Sequence, residues 1–407
     1  MVRRLLTDAG RSDLLEPASL LVSEVVTNAL VHSGTTIDVS MALGDDGVLV
    51  EVGDGGQHLP ARRHYAPTAS TGRGLALLDE TATAWGVVPG VRGKTVWFQV
   101  DSDATVGHQV PDPERAPRTV VPLRPGDESV TVALLNVPLL LHAAWQQHAE
   151  AVLREYLLVS LDGFHRDDAF AVHAATTDAL AVLQEQIPEP DVEVEPDLLL
   201  STAIDPLVSA ARVEVAVPLE SVPHFPLLDE ALDAAQTMAE RGQLLVPVVQ
   251  PELRMMRRWL CGEVTGQSRG ASPSPWPPQN WPDPPAPRDL GWDARAVTES
   301  AEAVIAADDM DLVVAVSRGA LDLLGYAREE LIGRRLIELI PRRLRQAHLA
   351  GFTLYLLTGR GPLLDRPVVV PAVRRDGTEA WVELSVEARR VAQGRSLFVA
   401  TLREPPG

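Results

Sequence analysis

Two proline-rich stretches constrain how this chain can fold. Residues 107–126 contain five prolines and residues 271–290 contain eight. Proline lacks a backbone N–H and fixes φ, so such stretches form extended spacers and do not continue a helix or a central strand. With 407 residues and about 150 residues in a typical domain, we predict modules at 1–103, 128–270 and 294–407, joined by linkers at 104–127 and 271–293.

Charge is distributed unevenly over these modules. Residues 1–103 hold 8 basic and 13 acidic side chains, residues 104–290 hold 12 and 27, and residues 291–407 hold 16 and 16. The net charge of −20 disfavours direct binding to nucleic acid or to an anionic membrane, because both require a positive field. We therefore expect neither partner.

The cysteine content and the hydropathy of the chain indicate in which compartment the protein is expected. Cys261 is the only cysteine, which excludes an intrachain disulfide and a multi-cysteine metal site. No run of about 18 apolar residues is present, so no transmembrane helix is predicted. We expect a soluble, cytoplasmic protein.

Residues 12–33 have the apolar spacing of an amphipathic helix. Glu24, Asn28 and His32 follow one another at i, i+4 on the polar side of this helix, which aligns a carboxylate, an amide and an imidazole. A solvated polar face is the alternative interpretation of this stripe.

Three glycine-containing blocks follow the helix. Gly53-Asp54-Gly55-Gly56 ends a strand-like run, so Asp54 could accept a hydrogen bond from an exocyclic amine while the glycines admit a flat ring. Thr71-Gly72-Arg73-Gly74 precedes a predicted helix, where free amide groups and Arg73 suit phosphate oxygens. Gly93-Lys94-Thr95 begins a predicted strand.

These blocks together resemble the GHKL ATPase superfamily, and most closely its anti-sigma-factor serine kinase branch. The resemblance implies an α/β sandwich with a mixed sheet and helices on one face. It also implies ATP and Mg²⁺ as cofactors and a catalytic base at Glu24. The implied nucleotide-site residues are Asn28 as the Mg²⁺ ligand, Asp54 and Gly56 at adenine, Gly72, Arg73 and Gly74 in the ATP lid, and Lys94 and Thr95 in the last block.

Amphipathic runs at 139–161 and 227–243 predict a helical bundle with an acidic surface for residues 128–270. His142 and His148 are six residues apart, so they do not share a helical face and form a poor metal pair. Neither lies in the sequence context of a phospho-accepting histidine. We predict a regulatory or interaction role for this region.

The C-terminal module has two short strands, a helix and three later strands, with a hairpin turn at Asp376-Gly377. Leu324-Gly325-Tyr326, the stretch 330–333 and Arg374–Thr378 resemble a PAS sensor domain. The resemblance implies a five-stranded antiparallel sheet with helices, and a capacity to hold a small ligand or to form a homodimer. The whole chain is thus predicted to be a multidomain α+β protein.

His348 is the candidate ligand-binding residue of the PAS module. It occupies the position of the axial haem ligand in PAS domains of oxygen-sensing kinases, which implies haem. The positions of that family's propionate-binding and distal arginines are Leu354 and Val368. A haem-free domain with a core histidine is therefore the alternative. Cys261 lies upstream of this module, so no cysteinyl flavin adduct is expected.

Three functional hypotheses follow. The first is a signalling protein whose PAS and helical modules regulate a serine kinase that phosphorylates a STAS-type anti-anti-sigma protein or sequesters a sigma factor. The second is a non-catalytic ATP-binding and PAS interaction protein, and the third is an atypical histidine kinase. Lys94, the only lysine beside 35 arginines, lies at the predicted nucleotide site, and an exposed solvated lysine is the alternative.

Overall fold

The computed structural model describes most of the chain outside the first proline-rich stretch. The described residues are 2–33, 37–44, 47–55, 77–79, 81–90, 93–101, 128–160, 166–192, 202–246, 250–277, 291–359, 361, 366–391 and 395–405. They form two compact units. The first unit comprises Met1–Ser129, Leu153–Val182 and Pro218–Ala231, and the second comprises Val130–Val152, Leu183–Val217 and Leu232–Gly407.

An antiparallel sheet with the strand order β1-β2-β4-β3 lies in the first unit. Its strands are β1 (Asp38–Leu43), β2 (Gly47–Asp54), β3 (Ala84–Gly90) and β4 (Gly93–Asp101). The strands predicted before and after the glycine-containing blocks are therefore present. All three strand pairings of this sheet are antiparallel, whereas the family resemblance implied a mixed sheet.

The predicted N-terminal helix packs on this sheet. The helices here are α1 (Val2–Asp8), a 3-10 turn at Ser12–Leu14, and α2 (Leu15–Ser33). Leu21, Val25 and Ala29 of α2 join one apolar core with residues of β2 and β4. Val50 on β2 is completely buried, and burying such a side chain contributes about 1.5–3 kcal/mol.

The region between the proline-rich stretches contains four long helices and two strands among its described residues. These are β5 (Ser129–Pro138), α3 (Leu139–Ser160), α4 (Arg166–Gln186), β6 (Ser209–Pro218), α5 (His224–Glu240) and α6 (Pro251–Gln267). β5 and β6 pair in a two-stranded sheet. The sequence predicted a helical bundle without these two strands. Val213, Val215 and Val217 are nevertheless buried at every second position, as in a strand with one buried face.

The start of the second proline-rich stretch is packed on α6. Trp259 Nε1 donates to the carbonyl oxygen of Ser274 at 3.0 Å, and the rings of Trp259 and Trp276 lie 5.6 Å apart. Glu263 accepts the backbone N–H of Ser274 at 3.0 Å. Aromatic packing and a buried carboxylate therefore hold this segment in place.

The C-terminal part is a five-stranded antiparallel sheet, as predicted, in the order β8-β7-β11-β10-β9. The strands are β7 (Ala303–Asp308), β8 (Val313–Val316), β9 (Val368–Val373), β10 (Glu379–Arg390) and β11 (Ser396–Arg403). The helices are α7 (Arg295–Thr298), α8 (Arg318–Leu324), α9 (Arg328–Leu331) and α10 (Arg345–Thr358).

Both faces of this sheet are partly covered. Ile305 packs in a core with Leu324 of α8, while its neighbour Val304 packs in a second core with Val297 of α7. Alternate side chains of one strand thus serve opposite faces. The predicted hairpin turn is present, with Gly377 at φ 84°, a conformation that favours glycine.

Candidate functional site

The ends of β2 and β4 bring together two residues of the predicted nucleotide site. Asp54 lies opposite Lys94, and Gly53 lies opposite Thr95, in the antiparallel register. Asp54 continues the buried row of β2, and Lys94 begins the buried row of β4. Both side chains therefore project from the face of the sheet on which α2 packs.

Asp54 and Lys94 form a buried ion pair. Lys94 Nζ lies 3.1 Å from Asp54 Oδ1, and only 9% of the lysine side chain and 1% of the aspartate side chain are exposed. The alternative of an exposed, solvated lysine therefore does not hold. Removing one partner of a buried pair leaves an uncompensated charge and costs about 3–5 kcal/mol.

Gly93 allows this close approach of the two strand ends. Its φ is 140°, and a Cβ at this position would lie 1.9 Å from the carbonyl oxygen of Asp54. A side chain here would force the start of β4 away from the end of β2. Gly93 therefore allows the two strand ends to come close enough for Lys94 to pair with Asp54.

Thr95 occupies the opposite face of β4. Its side chain lies beside Gly53: a Cβ added to that glycine would be 3.6 Å from Thr95 Oγ1. The described strand ends therefore present Lys94, and not Thr95, to Asp54. The predicted role of Thr95 at adenine stays a prediction.

Glu24 and Asn28 lie half-buried on α2. They are one turn apart, and their neighbours Val25 and Ala29 are buried in the core that α2 shares with the sheet. Carboxylate and amide oxygens at this spacing are hard donors suited to Mg²⁺ or to accepting a proton. The predicted site residues Gly56, Gly72, Arg73 and Gly74 lie outside the described residues.

His348 lies on α10 and is bound to a buried aspartate. Its Nε2 is 2.9 Å from Asp311 Oδ1, and its ring stacks on Phe352 with 5.9 Å between centroids. Haem ligation through Nε2 would require this contact to break. The haem prediction stays untested, while the alternative of a packed histidine describes the observed contacts.

Asp311 belongs to a buried charged cluster that sequence reasoning did not find. Arg335 Nη2 donates to Glu252 Oε2 and to Gln250 Oε1, both at 3.0 Å, and its Nε lies 3.6 Å from Asp311 Oδ2. The Glu252 and Asp311 side chains are both 0% exposed. The sequence signal was weak, since these residues lie far apart along the chain.

A second buried carboxylate lies in the same turn. Burial raises the pKa of the Asp308 carboxyl above its ordinary value of 3.8, although the backbone N–H groups of Leu312 and Met310 oppose this shift. Arg395 forms an ion pair with Asp309 and approaches Asp308 at 3.4 Å. The hydrogen bond and charge of Asp309, opposed by partial burial, raise the pKa of Arg395.

No group of three or more His, Cys, Asp or Glu side chains suited to a metal occurs within the described ranges. Over the same part of the chain, every helix is too short or too polar to cross a bilayer.

Comparison with known proteins identifies the C-terminal part. The family model of the PAS fold matches residues 294–405. An uncharacterized protein of Azorhizobium caulinodans is 39% identical over 106 residues, which are 26% of this chain and 14% of that protein. The match therefore spans only a small part of that relative.

Solved PAS structures resemble about a quarter of the chain. The PAS domain of an HTR-like protein from Haloarcula marismortui has 21% identity and a TM-score of 0.21, covering 28% of this chain and 88% of that one. A PAS domain from Colwellia psychrerythraea has 15% identity and a TM-score of 0.23, covering 26% and 90%. Residues 294–405 form a PAS domain, because they match the family model of the PAS fold and contain its five-stranded antiparallel sheet.

Proposed function

We propose that the chain is a cytoplasmic signalling protein in which the PAS domain and the helical region regulate an ATP-binding serine kinase module at residues 1–103. The PAS domain indicates a signalling role. The kinase substrate would be a serine of a STAS-type anti-anti-sigma protein, and a sigma factor would be the partner sequestered by the same module. A homodimer through the PAS domain is part of this proposal.

The buried Asp54 carboxylate supports nucleotide binding more than any other observation. It ends the inner row of β2 beside Gly55, and carboxylate oxygens are acceptors of the kind that the exocyclic amine of adenine requires. An acidic side chain that is 1% exposed is costly to bury and needs a partner. Lys94 fills that role here, so adenine would have to share or displace it.

The oxygen donors on α2 fit Mg²⁺ with a largely aqueous shell, because Asn28 supplies one amide oxygen and waters can complete the coordination. Bound with ATP, Mg²⁺ would neutralise charge on the phosphate oxygens. Gly72, Arg73 and Gly74 would close over the phosphates, and Thr95 would border the adenine side.

Glu24 would act as the general base. Its carboxylate would take the proton of the substrate serine hydroxyl while the serine oxygen bonds to the γ-phosphorus. The bond from that phosphorus to the β–γ bridging oxygen would break in the same step. The products are phosphoserine and ADP. Glu24 and Asn28 are one turn apart on a helix anchored by Val25 and Ala29, so their spacing is fixed before substrate binds.

The Asp54–Lys94 ion pair favours a second candidate, a non-catalytic interaction module. Because the lysine already neutralises the aspartate at 3.1 Å, nucleotide binding must offset the loss of part of that contact. A module with this pair intact could bind its partners without ATP.

Phosphate transfer from labelled ATP to STAS proteins tests the first proposal. We expect Glu24→Gln to abolish transfer while retaining ATP binding, and Asn28→Ala to weaken Mg-dependent ATP binding. Glu16→Gln is the matched control, because Glu16 is an exposed carboxylate on the same helix.

Each outcome selects one hypothesis. Binding of a STAS protein or sigma factor by wild-type protein without ATP binding or transfer would support the interaction module and contradict the kinase. Label appearing on a histidine of the protein itself would support the histidine kinase. Equal transfer by Glu24→Gln and wild-type protein would exclude Glu24 as the base.

A further inference from the structure

We propose that a cleft between three helices of the second unit binds a short-chain organic carboxylate. The cleft is formed by one-turn-spaced residues of α3, α5 and α6. Its lining includes Trp145 of α3, Ala235 and Ala239 of α5, and Leu253, Arg254 and Arg257 of α6. This site is independent of the proposed kinase module.

The cleft has an apolar floor. Trp145, Ala235 and Leu253 are at most 2% exposed, and the small side chains of Ala235 and Ala239 leave space between the helices. The cleft opens to solvent and encloses only about 20 Å³, room for about one water-sized group. It therefore suits a small ligand that lies mainly in the open part of the cleft.

The polar groups of the cleft are cationic or neutral. Arg257 is 3% exposed at its side chain and pairs with Asp233, which lies outside the lining. Arg254 is half-buried, and its guanidinium has no hydrogen-bond or ion-pair partner among the described residues. No carboxylate lines the cleft, although residues 104–290 hold 27 acidic and only 12 basic side chains.

This arrangement selects the class of ligand. A guanidinium presents a planar fork of N–H donors that matches the two oxygens of a carboxylate. The apolar walls suit an alkyl chain, which an inorganic anion lacks. The narrow floor limits that chain to a few carbons. The combination indicates a ligand with one carboxylate and a short aliphatic tail, held by Arg254 and Arg257.

Ligand-observed NMR with the full chain tests this assignment, using butyrate, its neutral isostere butyramide, and inorganic phosphate as probes at constant ionic strength. We expect saturable binding of butyrate that exceeds the binding of the other two probes. Arg254→Gln should weaken butyrate binding by about tenfold, the effect of losing one charge-assisted hydrogen bond. Arg258→Gln should leave it unchanged, because Arg258 is on the same helix but 63% exposed and outside the lining.

A second pair of variants tests the position of the ligand. Ala239→Leu places a larger side chain at the half-buried rim and should block butyrate without disturbing the floor. Ala234→Leu is the matched control, since Ala234 is exposed on the same helix. Circular dichroism of all four variants checks that the helices remain folded.

The proposal is overturned if wild-type protein shows no saturable butyrate binding or if Arg254→Gln and Arg258→Gln weaken the binding equally. It is also overturned if phosphate or butyramide binds at least as tightly as butyrate. Loss of binding in Ala234→Leu as well as in Ala239→Leu would place the ligand elsewhere and also contradict it.

Discussion

Lys94 is the only lysine of the chain, and its ion pair with Asp54 explains why a lysine suits this position. Its ammonium lies 3.1 Å from Asp54, with both side chains nearly buried. A lysine ammonium is a compact point charge on a flexible stem, which suits a narrow space at the end of two strands. The arginines elsewhere in the chain present a broader, planar group.

Replacing Lys94 with methionine tests whether Asp54 is the adenine acceptor. The variant removes the cation but keeps the length of the stem, so we expect a loss of about 3–5 kcal/mol of stability without ligand. ATP should then raise the thermal midpoint of the variant more than that of wild-type protein, because the adenine amine would no longer compete with the Lys94 ammonium for the Asp54 carboxylate. Thermal unfolding with and without ATP provides the measurement, and an equal ATP effect on both proteins would contradict the expectation.

Asp308 makes stability depend on pH in a defined direction. Burial raises the pKa of its carboxyl above 3.8 in the folded protein, so the native state binds the proton more tightly than the unfolded state does. The contribution of this residue to stability is therefore most favourable at low pH. It is lost as pH rises from about 3.8 through the raised folded pKa.

Asp308→Asn should remove this dependence, because the amide retains an oxygen for the Met310 and Leu312 N–H groups but carries no charge. We expect the variant to gain stability relative to wild-type protein as pH rises from about 4 to about 7. Urea unfolding at several pH values measures the difference. A stability difference that is constant over this range would show that Asp308 does not titrate there.

At the scale of elements, the N-terminus of α3 receives its cap from a distant helix. Gln346 Oε1 of α10 accepts the backbone N–H groups of Leu140 and Leu141 at 2.8 and 3.2 Å. Its Nε2 donates to Asp205 at 2.9 Å and to Ser209 at 3.0 Å. A helix leaves its first N–H groups without intrahelical partners, so one side chain of the PAS domain satisfies two of them.

Gln346→Ala should cost about 2 kcal/mol of stability, because buried donors lose their acceptor and water cannot easily replace it. Gln243→Ala, at an exposed position after α5, serves as the control and should change little. Chemical unfolding gives the magnitude. Amide hydrogen exchange at Leu140 and Leu141 should accelerate in the first variant only, and unchanged exchange would refute the capping role.

At the scale of the whole molecule, the PAS domain shares a compact unit with much of the acidic helical region. Their buried contacts include Arg335 with Glu252, a pair whose carboxylate would be left uncompensated if the PAS domain were absent. The two regions should therefore unfold together, although the segments that contain them, residues 291–407 and 104–290, have net charges of 0 and −15.

A chain ending at residue 293 tests this dependence. Without Arg335 and Gln346 we expect the helical region to unfold at a lower temperature, and Glu252→Gln, which removes the buried charge, should restore part of the loss in the shortened chain. In the full chain the same substitution should be destabilising, because it weakens the bond to Arg335. An unchanged unfolding temperature after truncation would show that the helical region folds independently.

Local sequence predicted most elements because their periodicity is set by neighbours along the chain. The apolar spacing at 12–33 predicted α2, and the turn at Asp376-Gly377 predicted the hairpin between β9 and β10. The same spacing missed the β5–β6 pair, because short apolar strands beside long helices give a weak signal. The Asp54 position was identified from its glycines, but its pairing with Lys94 was not.

The sequence by itself therefore determined the PAS fold and led to the prediction of a nucleotide site, since motifs are local properties. Only the tertiary structure decided which charges meet. Asp54 meets Lys94 across 40 positions, and Glu252 meets Arg335 across 83. Such contacts depend on how the strands and helices pack, and no spacing along the chain encodes them. Burial then makes each pair costly to break.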